Sequence, residues 1–232
     1  MTHVLSKSTY LKGLQCKKAL YFNKYHKDLK DEISESQKAR FSQGDKVGEL
    51  AQKLYPGGVD ATPEKFYDFS KSLEQTRNAI TDGASVIYEA AFQFEGVLCA
   101  VDILVREGNL WNAYEVKSST SVKETHITDA SLQYHVMKNC GIQIKDISIV
   151  VIDNSYQKQG DIEVGKLFKI ESVYDNVLQL QSSVKEKIHE LKSLLSAREI
   201  PNELIGEKCT KPYDCDFIGH CWKDVPEYSI FN

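Results

Sequence analysis

Two carboxylates and one lysine occupy a part of the sequence that is otherwise apolar. Asp102 stands inside the segment VLCAVDILV, and Glu115 and Lys117 stand two residues apart in the segment LWNAYEVK. Apolar strands normally exclude charged side chains, so their presence here requires a reason. Carboxylate oxygens suit Mg²⁺ or Mn²⁺, which can polarise a phosphate and lower the pKa of a bound water. A neighbouring lysine can orient that water or neutralise developing charge. The three residues therefore predict a metal-dependent site for phosphodiester hydrolysis.

The segments around these residues predict strands that bring them together. Three apolar segments separated by short turn sequences predict an antiparallel meander. The strands are residues 86–94, 97–105 and 110–117, and the turns are Glu95-Gly96 and Glu107-Gly108-Asn109. Because side chains alternate along a strand, Glu115 and Lys117 should point to the same face. Asp102 can reach that face from the neighbouring strand.

The remaining elements predict an α/β fold with a mixed central sheet flanked by helices. Predicted helices span residues 8–25, 34–54, 62–83 with Thr62 as N-cap, 128–139 with Thr128 as N-cap, and 174–197. Further strands are expected at 146–153 and 161–173. We expect one domain over residues 1–232. Its parts are a helical part at 1–85, a sheet core at 86–153, a strand and long helix at 154–200, and a cysteine-rich segment at 201–232.

The order Asp102, then Glu115-Val116-Lys117, resembles the signature of the PD-(D/E)XK nuclease superfamily. This resemblance implies a restriction-endonuclease-like core with helical N-terminal and cysteine-bearing C-terminal extensions. It also implies catalytic roles for Asp102, Glu115 and Lys117, with both carboxylates binding metal. The sequence is most similar to the RecB-like branch, which includes AddB-type helicase-nucleases. In that branch a catalytic glutamine follows on the next helix, and Gln133 occupies the matching position.

The sequence departs from the RecB-like pattern at two places. The branch often has a tyrosine four residues after the glutamine, where this chain has Met137; the adjacent Tyr134 is a candidate substitute that would contact nucleic acid. The branch also has an upstream G-x-x-x-H whose histidine binds metal, whereas Gly48 stands at the histidine position here. We expect Glu49 or Glu89 to supply the missing metal ligand.

Four of the six cysteines form a second candidate site. Cys209, Cys215 and Cys221 are separated by five-residue gaps, which fit a zinc site less well than close C-x-x-C pairs. Iron–sulfur members of the RecB-like branch combine one N-terminal cysteine with three C-terminal ones, and Cys16 with these three is similar to that arrangement. The resemblance thus implies a [4Fe–4S] cluster. Zinc and free thiols are the alternatives, and the other two cysteines are expected to be packing residues.

The basic residues of the chain concentrate at its N-terminus. The chain has a formal net charge of −4, which argues weakly against nucleic acid as a partner, but residues 1–30 contain seven lysines and one acid. We expect Lys12, Lys17 and Lys18 to contact phosphates, the alternative being a solvated helix face. The resemblance implies DNA as the partner, with cleavage of single strands or free ends.

Other classes of function stay open at this point. The chain could be an inactive nucleic-acid-binding module of the same fold, or a structural subunit or domain of a larger protein. No apolar run reaches the roughly 18 residues of a spanning helix, and the first residues lack the apolar stretch of a signal peptide. We therefore expect no membrane partner and a cytoplasmic location.

Overall fold

The computed structural model describes residues 4–65 and 68–226, which form an α/β fold around one mixed sheet. Its strands are β1 Leu5–Ser6, β2 Val59–Asp60, β3 Val86–Phe94, β4 Val97–Glu107, β5 Leu110–Val116, β6 Ile144–Ile152 and β7 Phe168–Ser172. Its helices are α1 Lys7–Gln15, α2 Lys17–Tyr25, α3 Glu35–Gln52, α4 Ser70–Thr81, α5 Glu124–Asn139, α6 Val164–Leu167, α7 Tyr174–Gln179, α8 Gln181–Ala197 and α9 Ile218–Cys221. Short 3-10 turns lie at Lys27–Leu29 and Glu207–Cys209.

The predicted meander of β3, β4 and β5 is confirmed. These three strands pair antiparallel, and α5 then returns the chain so that β6 pairs parallel to β5. A parallel pair needs such a crossover, for which a helix is the usual solution. The strand order is β2-β3-β4-β5-β6-β7, with β1 pairing in parallel with β4 at the side.

Each face of the sheet carries its own apolar cluster. One cluster contains residues of α5 and α8, and the other contains residues of α3. The faces are exchanged within β3, because Tyr88 packs with the α3 cluster whereas Ala90 packs with the α5 cluster. Glu89 between them has a φ of 51°, which reverses the alternation of side chains along the strand. The alternation of side chains along β3 therefore changes at an acidic residue.

Several helix boundaries differ from those predicted. The helix expected at residues 8–25 is divided at Cys16, which is extended with φ −157° and ψ 115°, and its first N-cap is Ser6. The helix expected from Thr62 begins only at Ser70, because the Thr62 hydroxyl donates to Asp60 Oδ1 (2.6 Å) in a turn; residues 66–67 lie outside the described part. The helix α5 begins at Glu124 rather than at the predicted cap, Thr128.

The remaining differences concern the later segments. The strand expected at 161–173 is shorter, because Val164–Leu167 forms a helical turn before β7. The long helix expected at 174–197 is divided at Leu180 into α7 and α8. The 1–85 segment is not helical throughout, since β1 and β2 join the sheet. The part of the cysteine-rich segment after residue 226 lies outside the described residues.

The two ends of the described chain pack together. Ala19 and Phe22 of α2 form an apolar cluster with Phe217, which is fully buried, and Lys12 Nζ lies 2.5 Å from Asp216 Oδ2. In the described part of the chain, no helix is long and apolar enough to cross a membrane.

Candidate active site and cysteine cluster

Three carboxylates are aligned across the central strands. Tyr88 pairs with Ile103 and Ala90 pairs with Val101, so Glu89 falls opposite Asp102 between β3 and β4. Ile103 also pairs with Tyr114, and continuing that register by one residue brings Asp102 opposite Glu115. Glu89, Asp102 and Glu115 therefore lie in one row across three neighbouring strands.

The ladder between β4 and β5 is interrupted where this row crosses it. Backbone pairing of the two strands ends at Ile103 and Tyr114, and the Asp102 carboxylate accepts the Val116 N–H instead (2.6 Å). On the other side, Gln133 Nε2 donates to the Ala100 carbonyl (3.2 Å). Side chains thus satisfy backbone groups that lie beyond the end of this ladder.

Glu115 is the centre of the site. Its side chain is 2% exposed, and its Oε1 accepts from Lys117 Nζ (2.6 Å) and from Lys7 Nζ (2.8 Å). Its Oε2 accepts from Gln133 Nε2 (2.5 Å). Of the predicted residues, Lys117 and Gln133 thus both contact Glu115. Asp102 accepts a hydrogen bond from the residue that follows Glu115.

Two further charged residues of this site were not predicted. Asp129 on α5, almost fully buried, accepts from Lys117 Nζ (2.6 Å) and lies 3.9 Å from Lys7 Nζ. Asp129 and Gln133 are four residues apart on one helix and so share a face, which is a signal that the sequence contained. Lys7 is brought in only by the pairing of β1 with β4, and no local pattern in the sequence indicates that contact.

The pKa values of these groups show opposing effects. Burial alone would raise the pKa of Glu115, but the charges and hydrogen bonds of Lys117 and Lys7 outweigh it and hold that pKa well below its usual range. Burial and the negative charge of Glu115 raise the pKa values of Asp102 and Glu89. Burial would lower the pKa of Lys117, but the charges of Glu115 and Asp129 raise it, so Lys117 is a stable ammonium ion.

The predicted metal ligands Glu89 and Glu49 have different positions. Glu89 is half-buried in the row, and its φ of 51° is unusual for a residue with a side chain in a strand. Such strain is often found where a functional site fixes the backbone. Glu49 is exposed on α3, and among the described residues no hydrogen bond or ion pair connects it to the site. Asp45, one turn earlier on α3, is instead close enough for its charge to raise the pKa of Glu89.

Tyr134, which is predicted to contact nucleic acid, is buried in the structure. Tyr134 is 5% exposed in the core, where its ring meets Tyr174 edge to face, and Met137 is fully buried beside it. Both side chains lie on the packed side of α5. A phosphate or base could reach Tyr134 only if this core opened.

The predicted phosphate-binding lysines have acidic or aromatic partners. Lys12 pairs with Asp216, and Lys17 pairs with Glu190 of α8. Lys18 Nζ lies 5.9 Å from the centre of the Phe22 ring. Acids distant in sequence therefore neutralise much of the basic N-terminal region, and phosphate contacts by Lys12 or Lys17 would require these ion pairs to open.

An open groove lies between two helices that carry residues of the acidic site. Its volume is about 480 Å³, and it lies between α1, the start of α5 and the segment before Cys215. It is lined by Ser8 and Thr128, the residues that follow Lys7 and precede Asp129. The rings of Phe41 and Tyr213 are 60% and 56% exposed at this groove, and the Tyr213 hydroxyl lies 3.3 Å from Thr125 Oγ1.

The four predicted cluster cysteines line one cavity of about 20 Å³. Burial raises the pKa of Cys16 to about 11 and also raises the pKa values of Cys215 and Cys221. None of these four cysteines forms a disulfide. The other two cysteines are also free thiols and lie elsewhere, Cys99 buried in the sheet and Cys140 exposed. The fold thus joins residues that are almost two hundred positions apart, and four thiol ligands match the chemistry of an iron–sulfur cluster or zinc.

The side chains are not arranged for a single ion in either place. Within residues 4–65 and 68–226, no three His, Cys, Asp or Glu side chains are grouped so that they could hold one metal ion. At the acidic site the Lys7 ammonium contacts Glu115 directly, and at the cysteine site the cavity has room for only about one water. The divalent metal, the iron–sulfur cluster and the zinc alternative all stay predictions.

Comparison with known proteins leaves the family open. No protein family and no curated protein matches this chain. One solved structure that does match is titled "Crystal structure of SSO0001"; it is 10% identical, and the alignment covers 78% of this chain and 75% of that chain, with a TM-score of 0.37. A likeness this distant carries no argument about activity. The assignment of a function therefore rests on the residues of this chain.

Proposed function

We propose that this chain is a Mg²⁺- or Mn²⁺-dependent nuclease that cleaves DNA at single strands or free ends, with a restriction-endonuclease-like core. The observation that carries the proposal is the contact network of Glu115 with Lys117 and Gln133, aligned with Asp102 across the sheet. A structural ion pair would need one carboxylate and one lysine. Four carboxylates lie together here, and when all are ionised they carry more negative charge than the two lysines neutralise.

The donor set is suited to a divalent cation. Glu89, Asp102, Glu115 and Asp129 carry four negative charges when ionised, against two positive charges on Lys7 and Lys117, so the cluster has a formal charge of −2. All four acids offer the hard oxygen ligands that Mg²⁺ and Mn²⁺ prefer. Two buried oxygens, Asp129 Oδ1 and Gln133 Oε1, have no hydrogen-bond partner among the described residues. An orphaned buried acceptor is costly, and a bound cation or its water would satisfy it.

Each side chain has a defined part in the proposed reaction. A divalent metal, when bound, would polarise the phosphodiester and acidify a water molecule. Glu115 would bind the metal through a carboxylate that its lysine neighbours keep ionised. Lys117, which contacts Glu115 and Asp129, would orient the attacking water or neutralise charge on the phosphate. Gln133 holds Glu115 in orientation by its hydrogen bond to Oε2.

The groove supports a single-stranded or frayed end as substrate. Exposed aromatic rings such as Phe41 and Tyr213 offer faces on which bases can stack without sequence preference. The groove is lined by Ser8 and Thr128, each next in sequence to a residue of the acidic site, and we propose that a strand lying in it continues to the carboxylates.

The alternative is a nucleic-acid-binding module without activity. It is favoured by the direct contacts of both lysines with Glu115 and by the lack of a histidine at Gly48. End-labelled single-stranded, linear duplex and closed circular DNA, each incubated with Mg²⁺, Mn²⁺ or EDTA, separates the two functions. We expect metal-dependent cleavage of the single-stranded and linear substrates that Glu115→Gln abolishes. Binding without cleavage under any condition would support the inactive module.

A further inference from the structure

We propose that Lys7 is a second catalytic lysine. It binds, together with Lys117, the phosphate group at the position that is cleaved. This inference rests on the proposed nuclease function. Lys7 Nζ lies 2.8 Å from Glu115 Oε1 and 3.9 Å from Asp129 Oδ2, the same two carboxylates that Lys117 contacts. Two ammonium groups from distant parts of the sequence therefore share one pair of acids.

The position of Lys7 is fixed by its neighbours. Leu5 is fully buried, and both Leu5 and Ser6 pair with β4, the strand that carries Asp102. Ser6 and Thr9 form a reciprocal capping box, so that α1 begins at Lys7 with a defined direction. Lys7 is thus held by the sheet itself.

The two lysine side chains are partly exposed, whereas the acids that they contact are buried. The side chains of Lys7 and Lys117 are 26% and 23% exposed, and those of Glu115 and Asp129 are 2% and 4% exposed. Part of each lysine side chain therefore borders solvent, and no other described acid separates it from Glu115.

The charge of the cluster explains why the phosphate would need two lysines. A divalent cation bound to the four carboxylates would cancel the remaining formal charge of −2 only if both lysines stay protonated. Removing Lys7 would leave a net negative cluster that repels a phosphate, with a strength that grows in a site of low dielectric constant. In the proposed step, water adds to phosphorus and loses one proton to the solvent, one P–O ester bond breaks, and the leaving oxygen takes up one proton from the solvent, so that no net proton is gained or lost. Lys7 exchanges its hydrogen bond to Glu115 for one to a non-bridging phosphate oxygen, and it neither gains nor loses a proton.

The test compares Lys7→Met and Lys7→Arg with Lys24→Met, an exposed lysine on α2 that serves as control. The substrate is an end-labelled single strand with Mn²⁺, and a second substrate carries a methylphosphonate, which lacks one charged non-bridging oxygen, at the cleaved position. We expect Lys7→Met to lower kcat on the ordinary substrate by about 10²–10³-fold, the effect of removing one stabilising donor. Lys7→Arg should restore part of this rate, and the loss should shrink on the methylphosphonate.

Mn²⁺ affinity, measured by titration calorimetry without DNA, separates catalysis from structure. Lys7→Met should bind Mn²⁺ at least as tightly as the wild type, because the cluster gains negative charge. An unchanged kcat, an equal loss on both substrates, or a fall in Mn²⁺ affinity would each overturn the inference. If the wild type binds DNA but never cleaves it, the proposed function fails separately. In that case an unchanged salt dependence of DNA binding in Lys7→Met would also overturn the role of Lys7.

Discussion

Substitution of Lys117 by methionine should destabilise the protein in the absence of metal. It should also increase the stabilisation that a bound metal ion provides. The substitution keeps the length of the side chain but removes the ammonium that contacts Glu115 and Asp129, each at 2.6 Å. Removing one partner of a buried ion pair typically costs about 3–5 kcal/mol. Lys7 still contacts Glu115, and Lys117 is 23% exposed, so we expect a smaller loss of about 2–3 kcal/mol. For a chain of this size that corresponds to a fall of about 4–12 °C in Tm.

Mn²⁺ should reduce this loss. A ligand that binds only the folded state stabilises it in proportion to the logarithm of its concentration over Kd. The acidic cluster of Lys117→Met has one more negative charge than that of the wild type, so its affinity for a cation should be higher. Thermal unfolding with and without Mn²⁺ should therefore show a larger metal-induced rise in Tm for Lys117→Met than for the wild type.

The matched control is Lys166→Met, which removes an exposed lysine 2.7 Å from Glu163 on the same helical turn. Exposed pairs of this kind contribute at most about 0.5 kcal/mol, so its Tm should stay close to that of the wild type. If Lys117→Met unfolds at the wild-type temperature, or if Mn²⁺ shifts both proteins equally, the reasoning about a buried acidic cluster is refuted.

Three further predictions concern other parts of the molecule. Gln133→Leu removes the hydrogen-bond donor to Glu115 and to the Ala100 carbonyl. The free energy of unfolding, measured by urea titration, should fall by about 1–3 kcal/mol. The control Gln179→Leu, at an exposed position, should leave that free energy unchanged. Burial and the charge of Lys117 lower the pKa of His126 to about 4, so stability should fall between pH 6.5 and 4 as the unfolded state takes up the proton. His126→Gln should flatten that fall in urea titrations, and an unchanged profile would contradict this. Cys215→Ser should lose the iron of anaerobically purified protein, whereas Cys140→Ser should keep it; one zinc and no iron per chain would refute the cluster.

The strands that carry the site could be predicted from the sequence. β3, β4 and β5 are short apolar segments joined by Gly-containing turns, and these local signals place Asp102 and Glu115 on neighbouring strands. The spacing of Asp129 and Gln133 on α5 would also have allowed Asp129 to be predicted as a residue of the site. Periodicity could not show the break at Cys16, because the residues on both sides follow the helical pattern.

The contacts that cross the fold could not be predicted. Lys7 reaches Glu115 only because two residues of β1 pair with β4, a contact between positions about ninety apart. The concentration of lysines in residues 1–30 also gave no sign that Lys12 and Lys17 would pair with Asp216 and Glu190, which are distant in sequence. Tyr134 was assigned to nucleic acid from its adjacency to Gln133, but neighbours on a helix point in different directions, and its ring is in the core.

The most direct test of the central claim is anomalous X-ray diffraction from crystals grown with Mn²⁺. The claim is that the carboxylates on the central strands hold the divalent ion of a nuclease. We predict an anomalous peak at ligand distance from Asp102 and Glu115, with the orphaned Asp129 Oδ1 or Gln133 Oε1 reached directly or through water. Glu115→Gln crystals should lack that peak. A protein that cleaves DNA with Mn²⁺ but binds the ion elsewhere, or shows no ion between Asp102 and Glu115, would contradict the account.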